Sequence, residues 1–197
     1  MIANNLLSSA HQFKTPNQGG PLVAPRVCII HYTAGTTLAS STSWLCDPKA
    51  KASAHLIIGR DGAVNQLVAF STVAWHAGQS VYEGKTGVNS FSVGIELCNL
   101  GGLLRSADGK FRSPTSGATV DTANVVEGHQ DNCSYKYWEA YPAIQVATLI
   151  DVLRELVEAY PSIVDVAPHS FVAPTRKFDT GPALNLSSIH SAVFGRA

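Results

Sequence analysis

Two short runs constrain this chain more than anything else in it: Arg26–Thr33 (RVCIIHYT) and Phe91–Leu97 (FSVGIEL). The first is β-branched and apolar almost throughout, the pattern of a strand buried inside a sheet, and it ends in a polar cluster. The second reads as a further strand, with Glu96 near its end. Ala54–Ile58 supplies a third, Arg60-Asp61-Gly62 a hairpin turn, and Ala63–Val68 the returning partner. Ile163–Ala167 is another short strand. Helices alternate with these strands. One covers Thr36–Leu45, with Thr37 or Ser40 near its cap. A second opens at Pro142, carries Ile144, Ala147, Ile150, Leu153, Leu156, Val157 and Tyr160 at helical spacing, and stops at Pro161. A third closes the chain at Leu186–Phe194. The alternation predicts an α/β fold, with a mixed central β-sheet flanked by helices and antiparallel at the hairpin.

At 197 residues the chain fits a single domain, 1–197. Two parts lack periodicity. Residues 1–25 read as an irregular arm hugging the surface. Residues 101–136 are rich in Gly, Ser, Thr, Asn and Asp, and such a stretch is long for a compact domain. They read as a loop insertion, a functional lip or a mobile segment, with a hairpin turning at Asp108-Gly109. A 45% hydrophobic and 14% charged composition excludes disorder. Fourteen basic against fourteen acidic residues exclude nucleic-acid binding by bulk charge and adhesion to anionic membranes. No run approaches the roughly 18 apolar residues of a membrane span. Met1–Pro16 lacks the basic start and long apolar core of a secretory signal, so the protein is expected to stay in the cytoplasm of the producing cell, to leave by a non-classical route, or to have had its signal removed; a monomer is expected. Cys28, Cys46, Cys98 and Cys133 form no CxxC pair and are expected to be reduced thiols, the first and third buried; a disulfide is the alternative, and its pairing cannot be read from sequence.

The polar residues that interrupt this pattern carry chemistry. His31, Glu96, His169, Lys177 and Asp179 all fall at strand ends or in strand-following loops, where sites are built on a rigid sheet. Two histidines and a carboxylate suit a catalytic zinc, which keeps a fourth position for water and lowers that water's pKa. A nearby carboxylate can carry a proton from water to a leaving amine, and a nearby ammonium can hold an oxyanion. Glu96 and Lys177 suit these two roles. The chain has seven histidines, so spacing alone leaves the ligand set open.

The segments VCIIHYTAGT, SAHLIIGRDGAVNQLV, AWHAG, FSVGIEL and PHSFVAPTRKFDTGPA resemble, in order, those of the zinc-dependent N-acetylmuramoyl-L-alanine amidases. This is the type-2 amidase superfamily, shared by AmpD-like enzymes, phage lysins and peptidoglycan recognition proteins. The last segment is the most specific: a His, a Lys eight residues on, an Asp two beyond, then Gly-Pro. The resemblance implies one zinc per chain bound by His31, His169 and Asp179, catalysis by Glu96 and Lys177, and hydrolysis of the amide between N-acetylmuramic acid and L-alanine in peptidoglycan or muropeptides. Phe171 stands where the family often has an acidic residue, and Thr180 where it has proline. Neither is a ligand position.

His76, in AWHAG, is expected to contact substrate from the cleft wall, with Trp75 in the core. His55 is expected to pack structurally beside the site, and His11, His129 and His190 to lie on the surface. Arg176 is expected to bind a backbone carbonyl, a carboxylate or substrate. Two further readings remain, a binding module of the same fold without catalysis and an unrelated zinc hydrolase. The first typically lacks the third ligand, and Asp179 is present.

Overall fold

The computed structural model describes residues 1–195. Its centre is a mixed six-stranded sheet built from β1 (His11–Gln12), β2 (Val27–Tyr32), β3 (Leu56–Ile58), β4 (Val64–Gln66), β5 (Ser92–Leu97) and β6 (Asp165–Pro168), in the order β6-β2-β5-β3-β4-β1. All neighbours run parallel except the β3–β4 hairpin. The mixed sheet expected from the sequence is therefore present. Four helices accompany it: α1 (Leu38–Cys46), α2 (Ala143–Ala159), α3 (His169–Val172) and α4 (Leu186–Phe194). Thr37 caps α1, its side chain accepting from the Ser40 amide. No helix among the described residues is long and apolar enough to cross a membrane.

Alternation along the two central strands sorts their side chains between faces. Cys28 and Ile30 of β2, with Val93, Ile95 and Leu97 of β5, enter one core with Leu149, Val152, Leu153 and Leu156 of α2 and Ile189 of α4. Val27 and Ile29 enter a second core on the opposite face, with Ala77, Tyr82, Ala167 and Val172. On that side α1 contributes Leu45, clustered with Ala54, Ile57 and Leu67. The same alternation sends His31, Ser92, Gly94 and Glu96 to this second face. The buried stripe of α2 is rotated from the expected one. Ile144 is 55% exposed and Ala147 is exposed, whereas Gln145 is buried and donates to the carbonyls of Ile58 and Cys98.

Two expectations change. Residues 101–136 are not wholly irregular. With Tyr137–Glu139 they form a five-stranded antiparallel sheet, ordered 119–120, 111–112, 102–105, 137–139 and 125–127. It has its own small core of Leu100, Leu103, Phe111 and Val120. The expected hairpin is there, closed by the Ser106 amide on the Lys110 carbonyl. Arg60 grips Glu139 with two bonds of 2.9 and 2.7 Å, tying this sheet to the β3–β4 turn. Nor is the arm merely laid on the surface: β1 extends the central sheet, Gln18–Pro21 pairs with Thr72–Ala74, and Leu7 is buried. All four cysteines are free, with Cys28 and Cys98 buried.

Candidate metal centre and active site

Parallel pairing of β2 and β5 sets His31 beside Glu96 in register, at the carboxyl ends of the central strands, where open α/β sheets hold their ligands. The neighbouring strand β6 ends at Pro168, and His169 begins α3 directly after it. The loop after α3 returns Asp179, whose backbone carbonyl accepts from the Ser170 amide. His31, His169 and Asp179 converge. The two Nδ1 atoms lie 2.8 Å apart, and Asp179 Oδ2 lies 3.2 Å from the first and 3.0 Å from the second. Ligand atoms at tetrahedral zinc, about 2.05 Å from the metal, stand about 3.3 Å apart. All three residues are buried, and together they are a group able to hold a metal ion. Burial lowers the His31 pKa to about 4, against the pull of its bond to Asp179. Burial also opposes ionisation of Asp179, but the hydrogen bonds to His169 and His31 outweigh it and hold its carboxyl well below the usual range.

A pocket of about 500 Å³ opens onto this group. Glu96 and Lys177 both line it, as do Trp44, Trp75 and Tyr135. Glu96 Oε2 is sealed from solvent and has no hydrogen-bond partner among the described residues. Burial raises the Glu96 pKa to about 8; the charge of Asp179 adds to the rise and that of Lys177 opposes it. Lys177 sits in a loop whose backbone is pinned at both groups. Its amide donates to the Ala173 carbonyl, and its carbonyl accepts from Asn132 at 2.7 Å. Asn132 belongs to the 101–136 segment, which thus braces the loop that carries Lys177 and Asp179.

His76 borders the pocket, but both its ring nitrogens are engaged inside the protein, Nδ1 with His31 Nε2 and Nε2 with Ser92 Oγ, each at 3.1 Å. His55 is fully buried behind the site. It accepts the Gly94 amide at Nδ1 and faces the Thr72 carbonyl with Nε2. Arg176 binds two backbone carbonyls, those of Ala77 and Gln79, at 2.7 and 2.9 Å. Trp75, expected in the core, is 38% exposed on the pocket wall, because its neighbours Ala74 and His76 take the inward positions. His11 and His129 are exposed and His190 is half-buried. Sequence reasoning missed Trp44, Tyr135, Ser92 and Gly94. For the last two the signal was there: in SVGIEL every second residue, Ser, Gly and Glu, departs from the apolar rule.

Comparison with known proteins places the chain in a family. The family model described as N-acetylmuramoyl-L-alanine amidase matches residues 21–182. The 1,6-anhydro-N-acetylmuramyl-L-alanine amidase AmpD of Enterobacter cloacae is 34% identical over 140 residues, 71% of this chain and 56% of that protein. The chain thus spans little more than half the length of that relative. A crystal structure of a selenomethionine AmpD derivative superposes with a TM-score of 0.71 at 24% identity, covering 98% of this chain and 99% of the other, which shows the shared fold. The amidase AmiD from E. coli, in complex with the substrate anhydro-N-acetylmuramic acid-L-Ala-D-γ-Glu-L-Lys, superposes with a TM-score of 0.64 at 26% identity, over 95% of this chain and 60% of AmiD. The match to the family model takes in all five polar residues, from His31 to Asp179, and the chain belongs to the N-acetylmuramoyl-L-alanine amidase family.

Proposed function

We propose that this chain is a zinc-dependent amidase that hydrolyses the bond between N-acetylmuramic acid and L-alanine in peptidoglycan or muropeptides. The observation that carries this reading is the convergence of two imidazole Nδ1 atoms and one carboxylate oxygen within 3.2 Å of one another, in the lining of a pocket that also holds Glu96 and Lys177. The donor set fits zinc: two nitrogens and one oxygen, with a pocket side left open for water and substrate. Bound by His31, His169 and Asp179, one zinc per chain supplies Lewis acidity and lowers the pKa of water. Glu96 takes the water's proton on its carboxylate and delivers it to the leaving nitrogen of L-alanine. A carboxyl whose pKa burial has raised to about 8 is suited to hold a proton between those two steps. Lys177 donates from Nζ to the oxygen of the scissile carbonyl as that oxygen gains charge. Trp44 and Trp75, both exposed on the pocket wall, offer apolar faces to a sugar ring. Residues 1–197 act as one catalytic domain, with the arm and the 101–136 sheet as parts of it.

The test is hydrolysis of purified sacculi and of a defined anhydro-muropeptide, with zinc measured on the same samples. The expected result is release of peptides bearing a free L-alanine amine. A fully metallated protein that releases none refutes the reading. Preference for one of the two substrates identifies the natural one.

A further inference from the structure

The hydrogen bonds behind His31 admit one consistent direction. Their far end is the Val88 carbonyl, which can only accept, and Ser92 Oγ lies 2.6 Å from it. The hydroxyl proton therefore points to Val88, and the Ser92 lone pairs face His76 Nε2 at 3.1 Å. His76 must then carry its proton on Nε2, which leaves Nδ1 an acceptor in a neutral imidazole. The donor facing that acceptor is His31 Nε2, at 3.1 Å. With its proton there, His31 keeps a lone pair on Nδ1, the atom that faces His169 and Asp179. The next residue treats His169 the same way. Ala77 O is an acceptor 3.1 Å from His169 Nε2, so His169 also presents a bare Nδ1.

The local architecture is built around this pair. Asn89 Oδ1 accepts from the amides of both His76 and Ala77, at 3.2 and 2.7 Å. Arg176 also donates to the Ala77 carbonyl, at 2.7 Å. The His76 ring rests on Gly94, where any Cβ would come within 2.3 Å of the ring.

We propose that His76 and Ala77, braced by Ser92, Asn89 and Gly94, are positioning residues that fix both histidines as Nε2–H tautomers and so present two Nδ1 lone pairs to one metal ion. This assigns His76 to the metal centre rather than to substrate, and it rests on reading the His-His-Asp group as a zinc site. Outer partners of this kind set the tautomer, orientation and basicity of metal-bound histidines, and losing one typically costs 10–100-fold in metal affinity.

Nitrogen-15 spectra of zinc-loaded wild-type protein should show His31, His76 and His169 each protonated on Nε2. A His76 protonated on Nδ1 overturns the proposal. Chelator competition then separates packing from hydrogen bonding. His76→Leu should weaken zinc binding by roughly 10–100-fold. His76→Asn, whose Oδ1 stands close to where Nδ1 stood and can accept from His31, should stay within a few-fold of wild type. Equal affinities in the two variants overturn the proposal; if the Leu variant does not fold, the wild-type spectrum decides. A wild-type protein that takes up no zinc removes the metal centre and this role with it. One zinc per chain with the wrong His76 tautomer removes the role alone.

Discussion

Replacing Glu96 by Gln should move activity and stability in opposite directions. The side chain keeps its shape and loses its charge and its capacity to carry a proton. Loss of a general acid/base typically lowers the rate by 10²–10⁴-fold, about 2.7–5.5 kcal/mol on the barrier. Turnover of a zinc-loaded Glu96→Gln protein on a defined muropeptide should fall by at least about 10²-fold, with zinc content unchanged, because Glu96 is not among the three converging ligand atoms. The stability effect follows from the raised pKa. Between the ordinary carboxylate value of 4.5 and the folded value of about 8, the native protein binds a proton that the unfolded chain has released. Wild-type stability therefore falls as pH rises through that window. Keeping this carboxyl protonated at pH 7 costs the metal-free protein roughly 3 kcal/mol, and less than about 1 kcal/mol at pH 5. The amide escapes that cost but leaves a polar group as poorly partnered as Glu96 Oε2. The variant should accordingly be more stable than wild type at pH 7 by roughly 1–3 kcal/mol, with the gap closing towards pH 5. Urea unfolding in chelator at the two pH values measures it. Wild-type turnover in the variant would make Glu96 a bystander, and identical stability at both pH values would refute the argument that burial holds the carboxyl protonated.

Three further outcomes follow from the geometry. Lys177→Ala should keep zinc and lose 2.7–4 kcal/mol of transition-state stabilisation, about 10²–10³-fold in kcat, with Lys177→Arg recovering only part; steady-state kinetics on metallated samples decide, and an unchanged rate removes Lys177 from the mechanism. His169→Ala should abolish tight zinc binding, since two remaining ligands hold the ion poorly, and a chelator should abolish wild-type activity until zinc is restored; full activity in verified metal-free protein contradicts both. Burial lowers the His55 pKa to about 4, with the bonds to Thr72 and Gly94 opposing. The unfolded chain gains the His55 proton from about pH 6.5 downward while the native state refuses it until about 4. This group alone should therefore cost about 2 kcal/mol of stability between pH 8 and pH 5, and His55→Asn should flatten the urea-unfolding profile by that amount; an unchanged slope would show that His55 is not held neutral.

What was legible in the sequence followed from how strongly each segment repeats a pattern. RVCIIHYT and FSVGIEL are long enough for a period to register, and both lie where expected, as β2 and β5. Leu186–Phe194 matches its helix to the residue. The 101–136 segment was read as loop because its strands are two to four residues long, too short for alternation to stand out from the turns between them. The α2 stripe was misplaced by one residue type. Gln145 fills an inward position, where it donates to two strand-end carbonyls, Ile58 and Cys98, and an apolar-only rule turns the helix away from it.

The candidate site was legible for a different reason, and the limits of that reading are physical too. Ligand and acid/base roles need particular side chains, so His31, His169, Asp179, Glu96 and Lys177 stand out by type. The groups that aim them do not. Ala77 acts through its carbonyl, Gly94 through the Cβ it lacks, and Asn89 by capping two amides; none of these is a chemical signature in a one-dimensional string. His76 was visible as a histidine, but its role depends on which nitrogen faces what. That follows only from tracing donors and acceptors back from the Val88 carbonyl, a residue nothing in the sequence connects to His31. Pairing β2 with β5 makes the connection. It sets Glu96 level with His31 and carries Ser92 and Gly94 onto the same face, so the strand that presents the proposed proton carrier also carries the two residues that contact the His76 ring. A substitution on this face of β5 should therefore disturb zinc affinity at positions 92 and 94 and turnover at position 96, whereas one at Val93, Ile95 or Leu97 should act through the opposite core and lower stability first.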